Sequence, residues 1–245
     1  MRLLALDAAT EHCSVALLSE GLLIERNADS GKAHTEQLLG MIVEVLAEGE
    51  VSLGSLDAIV ASIGPGAFTG VRVGVAVAQG LAFGAGLRVI AVSTLEALAL
   101  QALSAPAPHF PTLAIAVLDA RMQEVYWGCF AADHEHGVIA TSAPRVSPPD
   151  AVAPPPGRYV GIGRGFAAYP GLARLPGVEL PPGANAAPPR AREFARLGAL
   201  RLARGQSLDP AELQPVYLRD KVAHTEAERA AARADEAKSA GEPKP

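Results

Sequence analysis

Gly64-Pro65-Gly66-Ala67-Phe68-Thr69-Gly70-Val71-Arg72 is the stretch on which the fold turns. Ahead of it, residues 56–63 form a largely apolar run that reads as a buried strand. Behind it, residues 73–87 are mostly Val, Ala, Gly and Leu and carry no charge. Gly-Pro-Gly cannot extend a strand well, because Gly admits positive φ and Pro fixes φ and removes a donor. Thr69 is placed to cap a following helix. A glycine-rich strand-to-helix turn is a natural anion site, since unpaired N–H groups and the positive helix end point outward together. This loop lacks the Lys of a P-loop, however, and Thr69 stands where the third Gly of GxGxxG would be. It reads as a phosphate cradle or as a tight turn that aims the next helix, and the missing residues favour the turn.

The segment from 69 to 84 admits two readings. Val71, Val73, Val75 and Val77 alternate as in a strand, whereas its length and Thr69 favour a helix. As a helix it carries Gly70, Gly74, Gly80 and Gly84, each costing about 1 kcal/mol relative to Ala. Close approach of another backbone would give the side chains a reason to stay small.

Upstream, residues 3–8, 13–18 and 22–26 are three short apolar runs joined by hairpin-length connections, so a β-meander opens the chain. Residues 34–48 read as a helix whose apolar residues cover an arc of roughly 200°, twice the stripe of a helix with one buried face. One stripe is Leu39, Val43 and Leu46; the other is Leu38, Met41, Ile42 and Val45. Such a helix is either sunk in the core or holds one face on its own sheet and one on a partner. Residues 87–92 make a strand, and Ser93 with Glu96 three residues on marks a capped helix to about Leu103.

The order β-β-β-α-β-α-β-α is uncommon and points to an α/β fold. Residues 1–104 form an expected N-terminal lobe, and the proline-rich 104–111 stretch a boundary. The runs at 112–119, 124–130 and 137–141 then restart the meander in a smaller, degenerate second lobe, 105–190. Residues 158–162 are a short strand, 176–189 a proline-rich surface segment, and 191–204 a partly amphipathic helix. Residues 191–220 are expected to pack back on the lobes, and 221–245 to form a flexible tail.

Apolar residues make up 49% and charged residues 19% of the 245, a globular composition. The net charge of −5, with no basic cluster, excludes a protein that grips a nucleic-acid backbone unaided. It leaves room for service in a complex whose other subunit holds the nucleic acid. Residues 73–87 are too short and glycine-rich for a membrane span. Asp7 comes too early for a signal peptide. Cys13 and Cys129 share no metal spacing, which fits a reduced, cytoplasmic protein.

Asp7 and Asp119 each end the first strand of a meander, one per lobe. With Thr10 they would suit Mg²⁺ and phosphates across a cleft, in the manner of an ATP-dependent kinase or ATPase. The turns that follow read Ala8-Ala9-Thr10 and Ala120-Arg121, without the glycine that lets a backbone approach a phosphate. Arg121 adds bulk where the phosphate would lie, and these departures favour aspartates that only end their strands and cap the loops. His34 has Leu38 at its i+4 position, so no HxxxH site exists; His134 and His136 lie in a turn. There is no GxSxG elbow. No nucleophile, base or metal constellation, and hence no peptidase, can be assembled from these residues.

Several segments together resemble one family. They are Leu4-Ala5-Leu6-Asp7, Cys13-Ser14-Val15-Ala16-Leu17, His34-Thr35-Glu36, Gly64 through Gly74, Val92-Ser93-Thr94-Leu95, Asp119 through Trp127, and Pro215-Val216-Tyr217-Leu218-Arg219-Asp220. The chain resembles the TsaB (YeaZ) family over about residues 1–220, loosely between 143 and 189. The resemblance implies a two-lobed fold of the actin-like ATPase (ASKHA) type and a part in making threonylcarbamoyladenosine beside the tRNA anticodon. It implies a non-catalytic subunit that partners TsaD, the catalytic subunit, with TsaE, an ATPase, joining the pair. tRNA would be met only through the complex. It implies no cofactor beyond weak nucleotide binding at a degenerate site of Asp7, Thr10, Gly64, Gly66 and Asp119. The family's partner surface lies on its first two helices, which match 34–48 and 69–84 here. His34, Leu38, Met41, Ile42, Val45, Val71, Gly74, Val75 and Ala78 are the expected partner residues. A homodimer through the same surface is a further expectation.

Overall fold

The computed structural model describes residues 1–29, 34–104 and 112–219; the side chains of 29 and 34–36 are outside the described set. The expected inter-lobe linker at 105–111 and the tail at 221–245 therefore lie outside the described residues.

Short apolar runs build β1 (Arg2–Asp7), β2 (His12–Ser19) and β3 (Leu22–Asp29) into the expected meander. β1 pairs antiparallel with β2 from Arg2↔Ser19 to Asp7↔Ser14, and β2 with β3. Helix α1 (His34–Glu48) follows, then β4 (Ala58–Ser62), which lies parallel to β1 with Leu3 opposite Ala58. Helix α2 (Phe68–Ala85) crosses to β5 (Arg88–Val92), parallel to β4. The first sheet reads β3-β2-β1-β4-β5. Helix α3 (Thr94–Leu103) starts on the expected capping box, with the Ser93 N–H on Glu96 Oε2 at 2.9 Å and the Leu95 N–H on Ser93 Oγ at 3.3 Å.

The second sheet repeats the order as β11-β10-β6-β7-β8. Its strands are β6 (Leu113–Arg121), β7 (Glu124–Asp133), β8 (Gly137–Ala140), β9 (Arg145–Ser147), β10 (Tyr159–Ile162) and β11 (Val178–Glu179). β9 adds to β7 through Val125, Tyr126 and Trp127. β9 and β11 sit in proline-broken stretches whose composition gives no strand signal. Only the four-residue α4 (Gly165–Ala168) stands in a crossover here, so the outer face of this sheet is covered mainly by loops over Val117, Trp127 and Phe166.

The two long helices that end each half are exchanged. α3, which follows the first sheet, packs on β6, β7, β8 and β10; α5 (Ala191–Ala203), which follows the second, packs on β1, β2, β4 and β5. A central core of Leu3, Ala58, Ile90, Leu98, Ala116 and Phe194 lies between the sheets. α5 receives its N-terminal partners from strands of the first sheet. Ser14 Oγ accepts the Ala191 N–H at 2.9 Å, and Glu25 accepts the Arg192 N–H at 3.0 Å and its guanidinium. Burial would raise the Glu25 carboxyl, but Arg192 overrides it and holds the group below its ordinary range.

The opposite face of the first sheet is covered by α1 and α2, which touch each other. The ambiguous segment is a helix, and its first residue is Phe68. The cap is Ala67, not Thr69: the Ala67 carbonyl accepts the Val71 N–H at 3.0 Å and no side chain caps the end. α2 is long and apolar enough to cross a membrane by length and composition. Its place is nonetheless that of a crossover helix between parallel strands, with Val71, Val75 and Ala78 buried on the sheet.

Candidate functional site

Two features stand out, a cleft between the sheets and the outer face of α1 and α2. The cleft encloses about 660 Å³. The β1–β2 turn, the Gly-Pro-Gly loop, the β6–β7 hairpin and residues 216–219 wall it. Its floor is apolar, made by Phe68, Val71, Leu118, Met122, Tyr126 and Val216.

Of the residues expected at a nucleotide site, Thr10, Gly66 and Asp119 line this cleft; Asp7 and Gly64 do not. Asp7 is fully buried at the end of β1. Its Oδ1 accepts the Ala9 N–H at 3.0 Å, and its Oδ2 is buried without a hydrogen-bond partner. Ser62 Oγ is engaged with Thr94 Oγ1 at 3.1 Å. Burial pushes the Asp7 carboxyl up from 3.8 to about 6, with the Ala9 N–H pulling the other way. Gly64, at φ +93°, accepts the Thr94 N–H at 2.9 Å and belongs to the core. Thr10 is occupied with the His12 backbone, whose N–H donates to its Oγ1 at 3.2 Å.

The loop lies directly on the turn after β1. The Ala67 N–H donates to the Ala9 carbonyl at 2.7 Å, and a Cβ at Gly66 would stand 2.0 Å from that oxygen. The glycine is there for contact with the protein's own backbone. Opposite, Asp119 accepts the Arg121 N–H at 2.9 Å and its Nη1 at 3.0 Å. Arg121 Nη2 reaches across the cleft to Glu11 Oε1 at 2.5 Å, and Arg164 stands 3.7 Å from Glu11. Arg121 thus enters the cleft as its bulk suggested, and it ties the two turns together. Glu11 and Arg164 escaped sequence reasoning because they follow no motif; Arg219 lies in a segment that carries the family resemblance, which gave it no role in a cleft. The hairpin tip is bent: Arg121, Met122 and Gln123 have φ of +60°, +53° and +59°, a left-handed run that non-glycine residues adopt at a cost.

Among the described residues no group of three or more His, Cys, Asp and Glu could hold a metal ion. Burial pushes the Cys13 thiol up to about 12 and Cys129 up to about 11, so both stay protonated.

The second feature corrects an expectation. Leu38, Met41, Ile42 and Val45 on α1, with Val71, Gly74, Val75 and Ala78 on α2, all face the sheet and are buried. The broad apolar arc of α1 gives this stripe to its own core. Gly70 and Gly74 have the same inward job. A Cβ at Gly70 would lie 2.1 Å from the Ala8 carbonyl oxygen, and one at Gly74 3.7 Å from the Ala8 Cβ. His34 begins α1, with its side chain outside the described set. Of the other stripe, Leu39 and Val43 face outward, 45% and 67% exposed, while Leu46 is half-buried against the core; on α2 Phe83 is 84% exposed. Gly40, Gly80 and Gly84 open onto free space there. The signal for this face was present as the second stripe of α1 and as the glycines late in α2.

A family model described as TsaD, tRNA N6-adenosine threonylcarbamoyltransferase, matches residues 28–142. The chain is 36% identical to the tRNA threonylcarbamoyladenosine biosynthesis protein TsaB of Escherichia coli K12, over 91% of this chain and 96% of that protein. It is 35% identical to the TsaB protein of Haemophilus influenzae, over 91% of this chain and 95% of that one. Its structure is similar to YeaZ from Pseudomonas aeruginosa, with a TM-score of 0.80 at 37% identity, over 89% of this chain and 99% of that one.

Proposed function

Because the chain belongs to the TsaB family of tRNA threonylcarbamoyladenosine biosynthesis proteins, we propose that it serves that pathway as a non-catalytic scaffold subunit. Its fold is the actin-like ATPase fold, with the same strand order in both sheets. In this reading it binds and stabilises a TsaD-like catalytic subunit in the cytoplasm, a TsaE-like ATPase joins the pair, and tRNA is engaged only through the assembly. The observation that carries the reading is the outward face of α1 and α2. Leu39 and Val43 on α1 and Phe83 on α2 are large, apolar and exposed on two helices that touch, and Gly40, Gly80 and Gly84 on the same helices open onto free space.

The competing reading, a kinase or ATPase using Asp7 and Asp119, requires both carboxylates at one cleft. Asp7 lies in the core, Asp119 is engaged by Arg121, and the loop N–H of Ala67 is bonded to Ala9. Calorimetry with Mg·ATP separates the two: tight binding abolished by Asp7→Ala revives the kinase.

A Val43→Asp, Phe83→Asp double variant tests the scaffold. It is expected to keep the wild-type melting temperature and to lose binding to a co-expressed TsaD-like subunit by about 100-fold or more, as when two central apolar anchors are removed. A folded variant that binds normally sinks the proposed face. Transfer of threonylcarbamoyl to tRNA by this chain alone sinks the scaffold role itself.

A further inference from the structure

After α5 the chain doubles back over the first half of the molecule. Leu208 pairs with Val89 at the edge of the first sheet through bonds of 2.8 and 3.1 Å. Gln79 Nε2 on α2 donates to the carbonyls of Pro210 at 2.9 Å and Leu213 at 3.1 Å. Leu213 is buried in the core under α1 and α2. Beyond it, residues 214–219 run without regular structure along the cleft mouth. The Val216 N–H donates to Ile63 at 2.8 Å. Arg72 Nε donates to the Tyr217 hydroxyl at 2.8 Å, with its guanidinium 3.5 Å from the centre of the Phe68 ring. Arg219 then crosses to the second sheet. Its Nη2 donates to Glu124 Oε2 at 2.5 Å and to the Ala120 carbonyl at 3.1 Å, and its Nη1 lies 3.5 Å from Met122 Sδ.

One short run is thus bonded at one end to the loop and helix after β4, and at the other to the β6–β7 hairpin. That hairpin has the left-handed tip, and its other tie is the Arg121–Glu11 pair. The Arg219–Glu124 tie is partly buried, and Leu218 between the two ends rests on the edge of the central core; segments held mainly by such polar bonds open locally before a core does. Val216, Tyr217 and Arg219 also form one wall of the cleft.

We propose that residues 214–219 are a releasable strap: Arg219 clamps the β6–β7 tip and sets the width of the cleft, and release of that one side chain opens the apolar floor while the core stays folded.

Native-state hydrogen exchange on the full chain tests this. Arg219→Ala is expected to raise exchange in 119–125 and 213–219 by about tenfold or more, the loss of the charge-assisted bonds to Glu124 and the Ala120 carbonyl, and to leave β1, β4 and α5 unchanged. Binding of the apolar dye 1-anilinonaphthalene-8-sulfonate is expected to rise with it. The reversed pair, Arg219→Glu with Glu124→Arg, rebuilds the ion pair but not the bond to the Ala120 carbonyl, and is expected to restore part of the protection. The wild-type chain between 0.05 and 1 M NaCl supplies a test without substitution, since salt weakens the partly exposed tether and the same two segments are expected to loosen first. Exchange unchanged in 119–125, or raised evenly over the whole chain, overturns the proposal.

Discussion

Asp7 carries the clearest pH signature in the molecule. Its carboxyl is raised by burial from 3.8 to about 6, so the fold holds the proton more tightly than the unfolded chain does. The stability drawn from this site is complete below about pH 4 and is lost as pH rises through about 6, a change of about 3 kcal/mol at most. Asp7→Asn is therefore expected to stabilise the protein by about 1–3 kcal/mol at pH 8 and by little at pH 4, read from urea unfolding at both. A difference that stays constant with pH would show that Asp7 does not titrate in the fold. The glycines of α2 divide the same way, by surroundings rather than identity. Gly70→Ala drives a methyl onto the Ala8 carbonyl and is expected to cost about 3 kcal/mol or more. Gly80→Ala meets open space and is expected to gain up to about 1 kcal/mol in helix propensity; thermal melts distinguish them. From sequence, Arg121 could be placed in the cleft because bulk beside a turn has nowhere else to go. The burial of Asp7 could not be foreseen, because a strand-ending Asp looks the same whether it faces a cleft or a core.

On α1 the difference between its two stripes is measurable. Leu38→Asp puts a charge where the helix meets its sheet and is expected to abolish folding, whereas Val43→Asp, 67% exposed, is expected to change the melting temperature by no more than about 2 °C. Circular dichroism melts decide it, and equal losses would mean that both stripes are core. The helix itself was legible in full, from His34 to Glu48, because apolar residues recur at the helical period. Which stripe faced inward was not legible, because periodicity reports that two faces are apolar and is silent on the one a sheet will cover. α2 was ambiguous for a related reason: alternating valines fit both periods, and only its position between parallel strands β4 and β5 decides for a helix. The capping box of α3 was fully local, and it formed as its sequence implies. The N-terminal partners of α5 come from Ser14 and Glu25, more than 160 residues away along the chain, and leave no local trace.

The first sheet was readable strand by strand because hairpins and crossovers alternate in short steps. The second sheet was readable through β6, β7, β8 and the short β10; β9 and β11 are three and two residues long and set among prolines. What no local pattern could reveal is the exchange of α3 and α5 between the sheets. It makes one cooperative unit of the two halves, so a single calorimetric transition is expected, with calorimetric and van't Hoff enthalpies equal. A chain ending at residue 190 lacks α5 and is expected to bind hydrophobic dyes and fail to give a cooperative melt; a sharp melt of that fragment would show that the first sheet closes without α5. The exchange also sets a timetable for the newborn chain. The first sheet is complete in sequence at Val92, but the helix that seals its inner face ends only at Ala203, about 110 residues later. At about 5–20 residues per second that interval lasts about 6–22 s. For that time an apolar sheet leaves the ribosome with one side uncovered, and its safekeeping falls to whatever chaperone waits at the exit.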